Sequence, residues 1–336
     1  RGNRVLNERN YHKALEDLGE LLSAEAGLHV EFKVDSLDRL RRSAVTMFSY
    51  DLIAGHRTLL GDETIFKGCE HHRDASAVPL AEATRLLFNR CTGLLLAKEL
   101  LRKRELSAED ADFVGRNLAK AQLALGDVVL AMNRAYHWNC LERKKALEEI
   151  AARPEQPWIA EVRRHHAAGV DFKLHPHRIS KSRAEFEVEH ERISALAKQV
   201  CLWLESRRLG REFASAHDYA FCRAEKCADL PSGRRRPQEA LRNVLLTART
   251  FGPASVLDGA ARRYPRERLL NSLPLTSGFK LAMSFKGPSI EVPSLPLPIW
   301  VLRSAHISSS VVRDNDKSLI RRLNLSIVFE RDITSS

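Results

Sequence analysis

Residues able to do chemistry are scattered along this chain, and few of them fall at spacings that a reaction demands. Histidine occurs in the adjacent pairs His71-His72 and His165-His166 and in His175-Pro176-His177. Neighbouring side chains on a helix point different ways, and no carboxylate stands at a metal-ligand spacing from these histidines, so a zinc site is not expected. Cys69, Cys91, Cys140, Cys201, Cys222 and Cys227 lie far apart with no C-x-x-C pair. They read as reduced thiols of a cytoplasmic protein rather than as a disulfide or zinc framework. The chain has no G-x-S-x-G, no Gly-rich phosphate loop and no dinucleotide fingerprint, which removes the local signatures of hydrolases and nucleotide-fold enzymes. Lys120 and Asp127 stand seven residues apart on one stretch of helical pattern. That is two turns and about 10.5 Å along one face, too far for a direct ion pair. Their plain reading is a solvated charged stripe with Arg134. Gly233-Arg234-Arg235-Arg236-Pro237 is a basic turn before a helix; it suits contact with nucleic acid, or a solvated loop.

The elements that must position such residues follow from composition and pattern. At 336 residues the chain is long enough for about two domains. With 44% hydrophobic and 29% charged residues it is an ordinary globular chain. No apolar run approaches the roughly 18–20 residues that cross a bilayer, and no secretory leader precedes the first helix. A net charge of +11 favours anionic partners without choosing among nucleotides, nucleic acid and acidic lipid. Tyr11, Leu15, Leu18, Leu21 and Leu22 recur at helical spacing, with Gly27 as the stop. Residues 28–34 alternate apolar and polar, the period of a half-buried strand, with His29, Glu31 and Lys33 on one face. Residues 48–61 suggest a second strand or turn-strand.

From Pro79 onward the pattern turns to long helices. Leu80, Ala83, Leu87, Cys91, Leu94 and Leu101 mark one stripe, and Val114, Leu118, Leu125, Val128, Met132 and Tyr136 another. Ser107-Ala108-Glu109-Asp110 resembles a capping box. Pro154 and Pro157 break the chain, and helices follow near 158–168, 183–209 and 237–251. After residue 275 the composition turns serine-rich and alanine-poor, and Pro293, Pro296 and Pro298 forbid a helix or central strand. No function is assigned there.

Four stretches together resemble the nucleotidyltransferase superfamily related to DNA polymerase beta, in the bacterial branch with an α-helical C-terminal domain. They are His29–Val34 followed by Asp35–Leu40, then Tyr50–Asp62, then Leu86–Leu95, and Lys120–Asp127 continuing to Arg134–Trp138. Tyr264–Asn271 is a weaker match. The resemblance covers roughly residues 1–275 and implies an α+β, mostly α fold. Residues 1–75 would be a partial α/β domain, the remnant of a small sheet. Residues 76–275 would be a helical bundle, and 276–336 an irregular extension.

The activity implied is transfer of a nucleoside monophosphate from a nucleoside triphosphate to an acceptor hydroxyl, on a small molecule or a nucleic acid. Such enzymes follow a Gly-Ser turn with Asp-x-Asp, whose carboxylates hold Mg²⁺ against the phosphates. This chain departs from that pattern, because it has no Gly-Ser pair. Asp110-Ala111-Asp112 has the letters but opens a helix, where it reads as a cap. Asp314-Asn315-Asp316 lies in the tail. The paired aspartates would then have stood upstream of Arg1 or been lost, and little or no catalysis is expected of these residues alone. By resemblance Glu31 matches the third metal carboxylate, Lys120 and Arg90 bind phosphate, and Asp127 orients Lys120 or acts as base on the acceptor. Glu31 beside Lys33 also reads as a solvent-facing residue. The competing reading is a non-catalytic basic helical module that binds nucleic acid or a protein partner.

Overall fold

The computed structural model describes residues 4–26, 30, 32, 36–58, 62, 64–222, 224–226, 236–257, 259–263 and 267. Glu31, the basic residues 233–235, Asp314–Asp316 and the whole 276–336 extension therefore lie outside the described residues. Among the described residues the fold is mostly α and contains no β-strand. Helix α1 spans Arg4–Ala26, α2 Leu37–Arg42 and α3 Met47–Gly55. The bundle then follows as α4 Leu80–Leu101, α5 Ala108–Met132, α6 Cys140–Glu149, α7 Ile159–Leu174 and α8 Arg183–Leu209. Two further α-helices follow, α9 Ala216–Phe221 and α10 Arg236–Phe251, and short 3-10 turns run on to Arg262.

The strand expected over residues 48–61 is corrected by α3. Met47, Tyr50 and Ile53 are its buried apolar side chains, a period of three that fits a helix and not the two of a strand. Its start is fixed by a reciprocal cap. Thr46 Oγ1 accepts from the Ser49 N–H at 3.0 Å, and Ser49 Oγ accepts from the Thr46 N–H at 2.8 Å. Of the alternating stretch 28–34 only Val30 and Phe32 are described, and neither sits in a strand.

Helix α5 is the axis of the bundle, buried along Leu118, Leu125, Val128 and Val129. Ser107 caps it by accepting from the Asp110 N–H at 3.1 Å. Helix α4 packs beside it where Gly93 meets Asn117. Helix α7 packs on another side, so closely that a Cβ on Gly169 would stand 2.5 Å from the Leu123 backbone nitrogen. The expected run through Tyr136 stops earlier, at Met132. Arg134 takes a left-handed conformation at φ 59°, and its guanidinium donates to the Ser76 and Val78 carbonyls at 2.7 and 2.6 Å. That turn carries Tyr136 off the helix axis and toward α3. The five described cysteines, Cys69, Cys91, Cys140, Cys201 and Cys222, are free thiols as expected. No described helix is long and apolar enough to cross a membrane.

Candidate functional site

Four helices and one loop bring a chain of polar groups into the interior of the bundle. Asp127 lies on α5 facing inward. Its Oδ2 accepts from Arg143 Nη1 at 2.7 Å, and its Oδ1 pairs with His166 Nε2 at 3.1 Å. Gly126 makes the second contact possible, because a Cβ there would collide with the His166 ring and with Leu147. Asn139 sets Arg143 in the first turn of α6 by accepting from the Leu141 and Glu142 N–H groups at 2.8 and 3.3 Å. The same Arg143 Nη1 donates to the Tyr136 hydroxyl at 3.1 Å, and that hydroxyl donates to Asp51 Oδ2 on α3, also at 3.1 Å.

One cation thus stands between two acids, and it does not serve them equally. Burial pushes the Asp127 carboxyl up, but Arg143 and His166 outweigh it and hold the group below the ordinary carboxylate range. At Asp51 burial wins over the weaker pull of Arg143, the Tyr136 hydrogen bond and Lys173, and the carboxyl is pushed up to about 7. Asp51 Oδ1 is shut away from water without a hydrogen-bond partner, as are Arg143 Nε and His166 Nδ1. Glu205 provides the contrast. This fully buried carboxylate on α8 accepts from Thr84 Oγ1, from Tyr219 at 3.0 Å and from two nitrogens of Arg208 at 3.0 and 2.8 Å. A buried carboxylate with that many donors is a satisfied structural tie; Asp51 has one.

Arg90 on α4 and Lys120 on α5 come together at the helix pairing one turn away from the Gly93–Asn117 contact. Both are half-buried. Burial lowers the pKa of Lys120 first, and the charges of Arg90 and Arg116 lower it further. Burial likewise lowers that of Arg90, against the opposing pull of Asp127 and Tyr136. Arg116 is neutralised by Asp112 at 3.1 Å. Neither Arg90 nor Lys120 has a carboxylate partner among the described residues.

Of the residues expected to share a site, Arg90 and Lys120 do lie together. Asp127 is close enough to Arg90 to act on its charge, but its carboxylate is engaged on both oxygens inside the bundle. Glu31 is outside the described residues. Asp51, Tyr136, Arg143 and His166 were not singled out from the sequence as site residues. Asp51 and Tyr136 lie inside the stretches that carry the family resemblance, while nothing local marks Arg143 or His166 as partners of Asp127. The His165–His166 pair diverges as adjacency on a helix implies, His165 turning to Gln122 and His166 to Asp127, whereas the His71 and His72 rings lie together with centroids 4.0 Å apart. Among the described residues no group of three His, Cys, Asp or Glu side chains could hold a metal ion. No family model, no curated protein and no solved structure matches this chain.

Proposed function

We propose that this chain is nucleotidyltransferase-like, and that Arg90 and Lys120 receive the phosphates of a nucleoside triphosphate. The observation that supports this reading is the pairing of two half-buried cations, from two helices, neither of them ion-paired to a carboxylate among the described residues. Like charges held together in a partly desolvated place raise each other's cost. A polyphosphate removes that cost. Arginine offers a planar fork to phosphate oxygens and lysine a compact point charge, so the pair suits adjacent phosphoryl groups. Asp127 contributes as a positioning residue in this reading, not as a base, because both of its oxygens are already bound. Among the described residues no group of acidic or histidine side chains could hold Mg²⁺. The reaction would be attack of an acceptor hydroxyl on the α-phosphorus, with pyrophosphate leaving.

Inorganic tripolyphosphate and ATP, titrated into the full chain by calorimetry at low salt, test the proposal. A charge-assisted hydrogen bond contributes about 1.5–3 kcal/mol. Lys120→Met and Arg90→Met are therefore each expected to weaken binding by roughly 10- to 100-fold. Absence of binding by both ligands, or variants that bind like the parent, would overturn it. Preferential binding of a long nucleic acid with a steep salt dependence would favour the basic-module reading instead.

A further inference from the structure

Helix α3 touches the bundle through few groups, and one of them is an acid with too few partners. The Tyr50 ring lies 5.9 Å from that of Tyr136, and Gly55 lies directly against the Trp138 indole. The Met47 N–H at its first turn donates to Glu82 of α4 at 3.1 Å. Between these contacts Asp51 receives a single hydrogen bond, from Tyr136, and its second oxygen faces no donor. Arg143 would be the natural counter-ion, but its Nη1 is spent on Asp127 and Tyr136. The other groups that face Asp51 are Tyr50 on its own helix, Asp127 on α5, and Lys173 on α7, whose ammonium acts from a distance. Asp127 opposes ionisation, Lys173 favours it weakly, and the hydroxyls are neutral.

We propose that Asp51 is a proton-bearing clasp: α3 docks on the bundle with this carboxyl in its neutral form, and undocking releases the proton. The clasp is independent of what binds at Arg90 and Lys120. Its sign follows from linkage. Docked, the carboxyl titrates near 7; undocked, it returns to about 3.9. A raised pKa in the docked state gives stability that is full below about 4 and is lost as pH rises to about 7. Above that the docked carboxyl is ionised too, and the dependence levels off. Acidification therefore tightens the attachment of α3.

Hydrogen exchange of the α3 amides tests this in the full chain between pH 5 and 8, with intrinsic exchange rates divided out and α5 as the internal reference. The opening equilibrium of α3 is expected to fall by up to about tenfold per pH unit on going from 7 to 5, and to be level above about 7.5. Asp51→Asn keeps an acceptor for the Tyr136 hydroxyl without a charge, and its α3 should stay protected with no such slope. The carboxyl ¹³C resonance of Asp51 in the parent protein gives a second reading that needs no variant, with a midpoint near 7 expected. A midpoint below 5, an α3 whose protection merely follows α5, or a slope that survives in Asp51→Asn would each overturn the clasp.

Discussion

Asp127→Asn isolates the contribution of a buried charge in this fold, because the amide fills nearly the same volume. In the parent protein the Asp127 carboxylate neutralises Arg143, which is only 3% exposed, and also binds His166, which is fully enclosed. Removing one partner of such a pair leaves an uncompensated guanidinium in the interior, at a cost of about 3–5 kcal/mol. Against a total stability of roughly 5–15 kcal/mol that is a large loss. At about 2–4 °C per kcal/mol for a chain of this size, Tm should fall by roughly 10 °C. Urea unfolding at pH 7 checks the magnitude, with a lower midpoint at unchanged m-value as the sign that stability and not compactness has changed.

The pH dependence gives a second check on the same variant. Asp127 titrates below its ordinary value in the folded chain. The stability it contributes is therefore complete above about pH 4 and lost as pH falls through the depressed folded-state pKa. The part of the gap that comes from the Asp127 charge itself should close in that acidic window. Asp127→Asn combined with Arg143→Met removes both charges together and should recover part of the loss. A variant within about 1 kcal/mol of the parent, or a double variant as unstable as the sum of the singles, would refute the charge-pair account.

Gly169→Ala should be costly for a steric reason: its new methyl would meet the Leu123 nitrogen at 2.5 Å and Cα at 2.8 Å, atoms of a helix backbone that cannot swing aside. A loss of about 1–3 kcal/mol in urea unfolding is expected, and an unchanged midpoint would mean that α5 and α7 are less tightly apposed than described.

Much of the bundle was legible in the sequence because α4, α5 and α8 bury stripes at helical period and several helix starts are marked. Pro79, Ser107 and the Pro154–Pro157 break fall where α4 and α5 begin and where α6 and α7 are separated. Helix α3 was not legible as a helix. Residues 48–61 mix apolar and polar types closely enough to suggest alternation, and the deciding signal was the cap that Thr46, just outside that window, forms with Ser49. Tyr136 looked like the last member of the α5 stripe because no Gly or Pro marks the stop. The chain leaves the helix instead through Arg134 in a left-handed conformation, which non-glycine residues seldom adopt and sequence does not advertise. The inward turn of Asp127 was hidden for a different reason. Helix α5 is buried nearly all round from Leu118 to Ala131, so it has no polar face against which the direction of Asp127 could be read. Its partners come from residues 16 and 39 positions later, a long-range pairing that no local spacing encodes.

Arg143 ties the two acids into one electrostatic unit, which makes the Asp127→Asn variant informative about Asp51 as well. With Asp127 ionised against the Arg143 guanidinium and Asp51 protonated, these three side chains carry no net charge. Ionising Asp51 would leave them one negative charge in excess, with Lys173 a further cation acting on it. Removing the Asp127 charge changes this in two ways of the same sign. It deletes an anion that raises the Asp51 pKa, and it frees Arg143 to favour the Asp51 carboxylate through Tyr136. The Asp51 midpoint, followed by carboxyl ¹³C shift, should therefore fall from about 7 toward the ordinary carboxylate range in Asp127→Asn. The pH window over which α3 tightens should narrow with it, because the window is bounded above by that midpoint. A global loss of packing would instead erase the α3 protection at every pH. An unchanged midpoint in a folded variant would mean that the two carboxyls do not share Arg143, and that burial alone sets the titration of Asp51.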